Sequence, residues 1–432
     1  MCSFIVTNKN IIDINTVNYY SQKRGPDNTS TCSLNGINII HNLLSITGSF
    51  TTQPISKNGI YLVFNGEIYN YKQLGNYSSD GECILDAYIS DNINGLRNID
   101  GEFAFCIYDS NKNKIIFGVD CFCTKPCYFS FENNNFGVSS YKSNLEKLNF
   151  TTITKVPTNT FIEYDISTNI STEYNYYNFN LNQYKNSFDD WCSAFDESVR
   201  KRFNVNLKPL IPMSSGYDSG AICCSMNKQN FDYISYTIIG AENQNILNQR
   251  LLCNKNIIKY KKQTVSDISS IKEKMNNSVE KFFYGPNPTI VTHNGFDDVG
   301  AIALYDILSE MKIKYNIKIL FSGQGSDEIM GNIQTYGFNT SNPKSFPKDL
   351  QSIFPYGNFY YGAQSSYLSK EECVAGSFGI ETRYPFLDKK LVQEFLNLTS
   401  HLKNLNYKSP LDYYFTKNNY PYSKGEKKGF QI

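Results

Sequence analysis

The hydrophobic pattern changes once along this 432-residue chain, and that change limits the possible folds more than any other feature. Before it, short runs rich in β-branched and aromatic residues alternate with turn clusters. The runs are "IYLVFNGEIY" (Ile60–Tyr69), "FAFCIYD" (Phe103–Asp109) and "KIIFGVD" (Lys114–Asp120); "SNKN" (Ser110–Asn113) and "ENNN" (Glu132–Asn135) are typical breaks. Such runs read as strands joined by turns. "SDGECILDAYIS" (Ser79–Ser90) has helical spacing behind a cap-like Ser-Asp. The first half therefore predicts an α+β domain with helices laid against antiparallel sheets.

The polar stretch "STEYNYYNFNLNQYKNSF" (Ser171–Phe188) marks the join. Beyond it, "DDWCSAFDESVRKRF" (Asp189–Phe203) places Trp191, Phe195, Val199 and Phe203 on one helix face. "KPLIPM", "ISYTIIG" (Ile234–Gly240) and "IKILF" are buried strands, two of them running into small, polar loops. Strands alternating with helices predict a doubly wound parallel sheet, with sites at the carboxyl ends of its strands. A chain of this length is expected to split into two domains. We place them at 1–178 and 189–432, with 179–188 as linker.

Composition excludes more than it suggests. The 41 basic and 40 acidic residues nearly cancel, so charge argues for neither a nucleic-acid nor a membrane partner. No apolar run approaches the ~20 residues of a membrane span, and no secretory segment follows Met1. Twelve cysteines scattered over a long chain read as reduced thiols of a cytoplasmic protein. Three of them, in "DCFCTKPC" (Cys121, Cys123, Cys127), lack the pairing and fourth ligand that zinc wants and read as buried thiols. His41 is expected to make a structural hydrogen bond.

Three short motifs carry chemistry. In "MCSF", trimming of Met1 would leave Cys2 with a free α-amine titrating near ~7.7–8.0, a base for its own thiol. On these residues alone, Cys2 is either a nucleophile or an ordinary second residue. "MSSGYDSG" (Met213–Gly220) sets small residues between a strand tip and a helix, where backbone N–H groups can approach phosphate. It lacks the Gly-Lys-Ser/Thr of a Walker A loop, and by itself it is also compatible with a plain turn. "SGQGSDE" (Ser322–Glu328) repeats the logic. Asp218, read as a loop residue, and Asp327 could clamp one Mg²⁺ between two strand ends, an arrangement suited to adenylyl transfer.

With these motifs in place the chain resembles the glutamine-hydrolysing asparagine synthetase family. "SSGYDS", "SGQGSDE", "GIETRYPFLD" (Gly379–Asp388) and "MCSF" occur in family order. So do "RGPD" (Arg24–Asp27), "LSI" (Leu44–Ile46), "QP" (Gln53–Pro54), "NGEIYNY" (Asn65–Tyr71), "SDGE" (Ser79–Glu82), "IDGEFAF" (Ile99–Phe105) and "KPCY" (Lys125–Tyr128). The resemblance spans nearly the whole chain. It implies an N-terminal-nucleophile glutaminase followed by an ATP-pyrophosphatase domain.

In the first domain, Cys2 would attack the glutamine amide, with Asn65 and the Gly66 N–H as oxyanion hole. Leu44, Ser45, Glu67 and Asp80 would bind glutamine, the last two at its α-amine and backbone. In the second, a carboxylic acid would be activated by ATP and ammonia would displace AMP. Ser214, Gly216, Asp218 and Ser219 would cradle pyrophosphate; Met213, Ile239, Ser322 and Gly323 would contact the nucleotide. Gln324 and Glu328 would face acceptor and adenylate, Lys427 in "GEKKGF" the reacting phosphate, and Asp218 with Asp327 the Mg²⁺. The resemblance implies ATP and Mg²⁺ as cofactors and glutamine, ATP and a small acid as partners; it allows a homodimer.

The sequence departs from the family in places. Leu43 stands where an arginine would grip the glutamine carboxylate, a fork contributing roughly 1.5–3 kcal/mol. Arg24 or Lys23 could compensate, or ammonia could be the working donor. Gln324 replaces a glutamate and cannot accept a proton near neutral pH. Ser215 replaces a glycine, the segment "YGPNPTIVTHNGF" (Tyr284–Phe296, with His293) fits poorly, and the chain ends soon after Lys427. The expected reaction is aspartate to asparagine with release of AMP and pyrophosphate. The alternatives are amidation of another carboxylate, such as a uronic acid of surface polysaccharide, and a catalytically degenerate binding homologue.

Overall fold

The computed structural model describes residues 2–238, 242–253, 258–261, 265–285, 293–331 and 345–425. They fall into two units: Met1–Asn178 with Ser278–Glu280 and Ala375–Glu381, and the remainder from Phe179 onward.

The first unit is built on two six-stranded sheets. Its strands are β1 (Ser3–Thr7), β2 (Asn28–Leu34), β3 (Ile37–Leu43), β4 (Ile55–Lys57), β5 (Ile60–Ile68), β6 (Gly101–Asp109), β7 (Lys114–Val119), β8 (Tyr128–Glu132), β9 (Asn135–Ser139), β10 (Thr154–Lys155), β11 (Thr160–Asp165) and β12 (Ile170–Asn175). One sheet runs β10-β8-β9-β1-β3-β2, the other β12-β11-β7-β6-β5-β4. Period-two alternation sends Phe4 and Val6, Ala104, Cys106 and Tyr108, and Ile115, Phe117 and Val119 into one core shared by the two sheets. The opposite face of β1 and β3, through Ile5 and Ile40, packs on Val17 and Leu145 of helices and on Leu148 and Phe150 just past the end of the second. Central strands are thus covered on both faces, which is why β6 reads as an unbroken apolar run. The helix expected from Ser79 spans Glu82–Leu96. Its Ser-Asp does not cap it: Gly81 is the N-cap, and Asp80 accepts the Ile68 N–H instead.

In the second unit, β13 (Leu210–Pro212), β14 (Ile234–Ile238), β15 (Ile258–Lys261), β18 (Ile319–Phe321) and β19 (Glu381–Arg383) form a sheet in the order β15-β14-β13-β18-β19. A separate pair joins β16 (Phe283–Tyr284) to β17 (His293–Asn294). β13 is parallel to both β14 and β18, so their carboxyl ends lie side by side. The stretch 179–188 runs along this unit. Tyr184 and Lys185 N–H donate to the Asn397 carbonyl at 2.9 Å, and Lys403 Nζ donates to Gln183 Oε1 at 2.7 Å.

The helix Asp189–Arg202 buries Trp191, Phe195 and Val199 as its spacing predicts. Its last turn meets Asp388, which is 2 % exposed. Arg202 Nη1 donates to Asp388 Oδ2 at 2.9 Å, and Lys201 pairs with the same oxygen. Asp388 Oδ1 accepts the N–H groups of Lys390 and Leu391, capping the helix Lys389–Asn397. Burial opposes ionisation of Asp388, yet the two cations hold its carboxyl well below the usual range.

Candidate active sites

In the first unit, strand register assembles the site. The pairing of Phe4 with His41 and Ser3 with Asn42 sets Leu43 opposite Cys2, on the face turned toward the second sheet. From that sheet comes the end of β5, with Asn65, Gly66 and Glu67 in succession. Cys2 N–H donates to Asn65 Oδ1 at 3.0 Å, and the Cys2 thiol lies 3.9 Å from the Leu44 carbonyl. Asn65 is fully buried, and its Nδ2 has no hydrogen-bond partner. A buried amide donor left unpaired beside a thiol is ready for an oxygen that the resting protein does not supply. Gly66 has φ +136°, and a Cβ there would lie 1.9 Å from the Glu102 carbonyl, so only glycine fits. Glu67 and Asp80 are buried. Burial pushes the Cys2 thiol up to about 11, so a neighbouring base is needed to form thiolate at neutral pH.

The residues suggested to replace an arginine at position 43 are engaged elsewhere. Arg24 is fully buried, and its Nε donates to the Cys2 carbonyl at 2.9 Å. Lys23 Nζ donates to the Ser278 carbonyl and lies over the Tyr19 ring. Asp27 Oδ2 accepts the Ser45 N–H at 2.9 Å. His41 Nε2 donates to the Phe64 carbonyl at 3.3 Å, and burial holds its ring neutral with a pKa near 3.

In the second unit, two strand ends build one site. β13 ends at Pro212, and Met213, which is fully buried, leads into the Ser214–Gly216 turn. The helix begins at Tyr217 with Gly216 as N-cap, so Asp218 and Ser219 sit in its first turn and not in the loop, as the sequence suggested. Ser219 Oγ accepts the Ser214 N–H, and Ser214 Oγ accepts the Gly216 N–H. The Ser215 N–H and hydroxyl both bind Glu242, so the loop already grips an anionic oxygen.

β18 leads into Ser322, Gly323 and Gln324, and the short helix Ser326–Met330 carries Asp327 and Glu328 in its first turn. A Cβ at Gly323 would lie 2.7 Å from Asp218 Cβ, so a bare backbone there lets the two loops touch. Glu328 Oε2 accepts the Gly325 N–H of its own turn, and burial with the Asp327 charge raises its pKa to about 7. Ile239, Lys427 and most of the segment around His293 lie outside the described residues.

Two cations that no motif announced complete this site. Lys408, almost wholly buried, places Nζ 2.5 Å from Asp218 Oδ1 and 3.0 Å from Asp327 Oδ1. Tyr407 donates to the same Asp327 oxygen at 2.6 Å. Burial opposes its charge, but the two aspartates keep Lys408 protonated. The pair expected to clamp Mg²⁺ therefore converges on one positive centre, an ammonium. Hard carboxylate oxygens so arranged also fit a divalent cation. Arg250 is the second. Its Nη1 donates to the carbonyls of Ser214 (2.5 Å) and Gly216 (2.9 Å), and its Nη2 has no hydrogen-bond partner. The "KSP" at Lys408–Pro410 was the available signal for the first, since proline at a helix start fixes the turn beside it.

The chain is similar to known proteins along two stretches. Residues 1–180 match the glutamine amidotransferase domain family, and residues 190–369 the asparagine synthase family. The chain is 26% identical over 404 residues to a putative glutamine-hydrolysing asparagine synthetase 1 of Methanocaldococcus jannaschii, covering 86% of this chain and 71% of that one. It is 25% identical to a probable glutamine-hydrolysing asparagine synthetase of Acanthamoeba polyphaga mimivirus, covering 83% and 68%. Against the glutamine-hydrolysing asparagine synthetase of Gallus gallus it is 24% identical, covering 88% and 73%. Among the described residues no helix is long and apolar enough to cross a membrane.

Proposed function

We propose that this chain, which matches the glutamine amidotransferase domain family over residues 1–180 and the asparagine synthase family over 190–369, adenylates the side-chain carboxylate of aspartate with ATP and converts it to the amide. One observation carries the reading: Asp218 and Asp327 converge on a single positive centre at neighbouring strand ends, beside a serine–glycine loop that already holds an anion.

In this reading Ser214, Gly216 and Ser219 receive the pyrophosphate, and Arg250 braces the loop from beneath. Met213 and Ser322–Gly323 line the nucleotide, and Lys408 and Lys427 balance phosphate charge. Asp218 and Asp327 hold Mg²⁺, which neutralises charge on the departing pyrophosphate. At the other site Cys2 attacks the glutamine amide after Met1 is removed, its own α-amine taking the proton. Asn65 Nδ2 and the Gly66 N–H receive the oxyanion, and Glu67 and Asp80 hold the α-amine.

The test is pyrophosphate release from Mg·ATP with aspartate and a panel of other acids, each with glutamine and with ammonium. Release with aspartate supports the reading; release only with another acid reassigns the acceptor. Lys408→Met should lower release at least about 10²-fold with either donor, because it removes a cation preorganised at the phosphates. Unchanged release would show that Lys408 only fills the empty site.

A second reading, of the donor, is favoured by Leu43 opposite Cys2 and by the engagement of Arg24 and Lys23. Glutamine then binds weakly and ammonia is the working donor. Leu43→Arg should lower the KM for glutamine roughly tenfold to a hundredfold, the worth of a charged fork. An unchanged or higher KM would mean that the carboxylate is held from another side.

A further inference from the structure

We propose that Glu371 is the proton acceptor for the incoming amine in the synthetase site, doing what Gln324 cannot. The inference rests on the adenylating function proposed above and adds a residue to it.

Glu371 lies on the helix Ala363–Gly376, on the same face as Gln364 and Tyr367. It is 7 % exposed, and the side chains of Ser322 and Gln324 in the second loop act on its carboxyl, favouring the charged form that burial opposes. Its Oε2 has no hydrogen-bond partner among the described residues. Two turns earlier on that face, the Gln364 amide is 1 % exposed, and neither its oxygen nor its nitrogen has a hydrogen-bond partner among the described residues. Buried polar atoms of this kind are rare unless something else meets them. Tyr367, between the two, feels the charges of Glu328, Asp298 and Asp327. The face therefore borders the loop where the nucleotide is proposed to sit.

The other carboxylates around the loop are committed. Asp218 and Asp327 hold Lys408, and Glu328 holds the Gly325 N–H. Asp298 receives Tyr284, Lys370 and the Gly300 N–H, and Glu372 receives Tyr384. Glu371 keeps an unbonded oxygen. Amide formation needs such a group. The ammonia lone pair forms the C–N bond at the acyl carbon, the C–O bond to AMP breaks with its electron pair leaving on AMP, and one N–H proton must be taken. We assign that proton to Glu371 Oε2, with Gln324 and Ser322 orienting the carboxylate.

The experiment compares the full chain with E371Q, using aspartate, Mg·ATP and ammonium, and reads ATP–pyrophosphate exchange and amide formation separately. We expect exchange to stay within about threefold while amide formation falls at least about 10²-fold, the lower end of general-base effects. Adding Q324E to E371Q returns a carboxylate to the loop and should restore amide formation about tenfold or more. With hydroxylamine, largely unprotonated at neutral pH, the defect of E371Q should shrink. Normal amide formation by E371Q, equal loss of exchange and amide, or no rescue by Q324E each overturns the assignment alone. Absence of exchange in the unaltered protein, with every acid tried, brings down the adenylating function and this inference with it.

Discussion

Cys2→Ala should abolish glutamine hydrolysis, by about 10⁴-fold or more, while synthesis with ammonium stays within a few-fold of the unaltered protein. The magnitude follows from removing a nucleophile outright, which leaves only binding and oxyanion stabilisation. The structure sharpens the expectation. The thiol is buried and burial raises its pKa to about 11, so its activation calls for a nearby base, the part given above to the α-amine freed by loss of Met1. A variant that retains Met1 should therefore be as inactive as Cys2→Ala toward glutamine. Glutamate release gives one readout, ammonium-supported amide formation the other, and the mass of the mature protein reports the state of Met1. Equal loss of both activities in Cys2→Ala would overturn the separation of roles.

Asp388→Ala should destabilise the second unit by about 3–5 kcal/mol, because it leaves the guanidinium of Arg202 buried without its carboxylate and removes a helix cap. At roughly 2–4 °C per kcal/mol, melting should fall by about 10 °C. Asp388→Asn keeps the cap acceptor and should recover only part of the loss. The pH dependence has a definite sign. The folded carboxyl titrates below its unfolded value, so its stabilisation is complete above ~3.9 and is lost as pH falls toward the folded value. The unaltered protein should lose stability in acid more steeply than Asp388→Ala. Equal melting of the two at neutral pH would show that water reaches Arg202 after the change.

The two architectures were legible in the hydrophobic pattern, because β5, β6 and β7 are apolar runs set close together, while the apolar strands of the second half alternate with helical segments. Cys2, Asn65, Asp218 and Asp327 stood out because each sits in a short motif where a strand ends. Lys408, Arg250 and Glu371 did not. Each is brought to its loop by a helix or turn distant in sequence, and tertiary packing writes no local signature. The start of the helix at Tyr217 was also hidden, since Ser and Gly are equally at home in a loop and at a helix N-terminus. The engagement of Glu328 was equally silent: an acid at the third helical position turns back to the N–H of its own N-cap, Gly325.

The ammonium between Asp218 and Asp327 gives the synthetase unit an internal counter-ion, and this bears on how the protein matures. Two acids packed that closely would repel during folding, and a site depending on metal to offset them would wait on the ion supply of the cell. Here the chain carries the offsetting charge itself, on a residue held in the left-handed region at φ 50°. The nascent unit can close around its active site with nothing bound. If the Asp218–Asp327 pair takes Mg²⁺ as proposed, chelation should silence the enzyme without unfolding it, because Lys408 already offsets the two carboxylates.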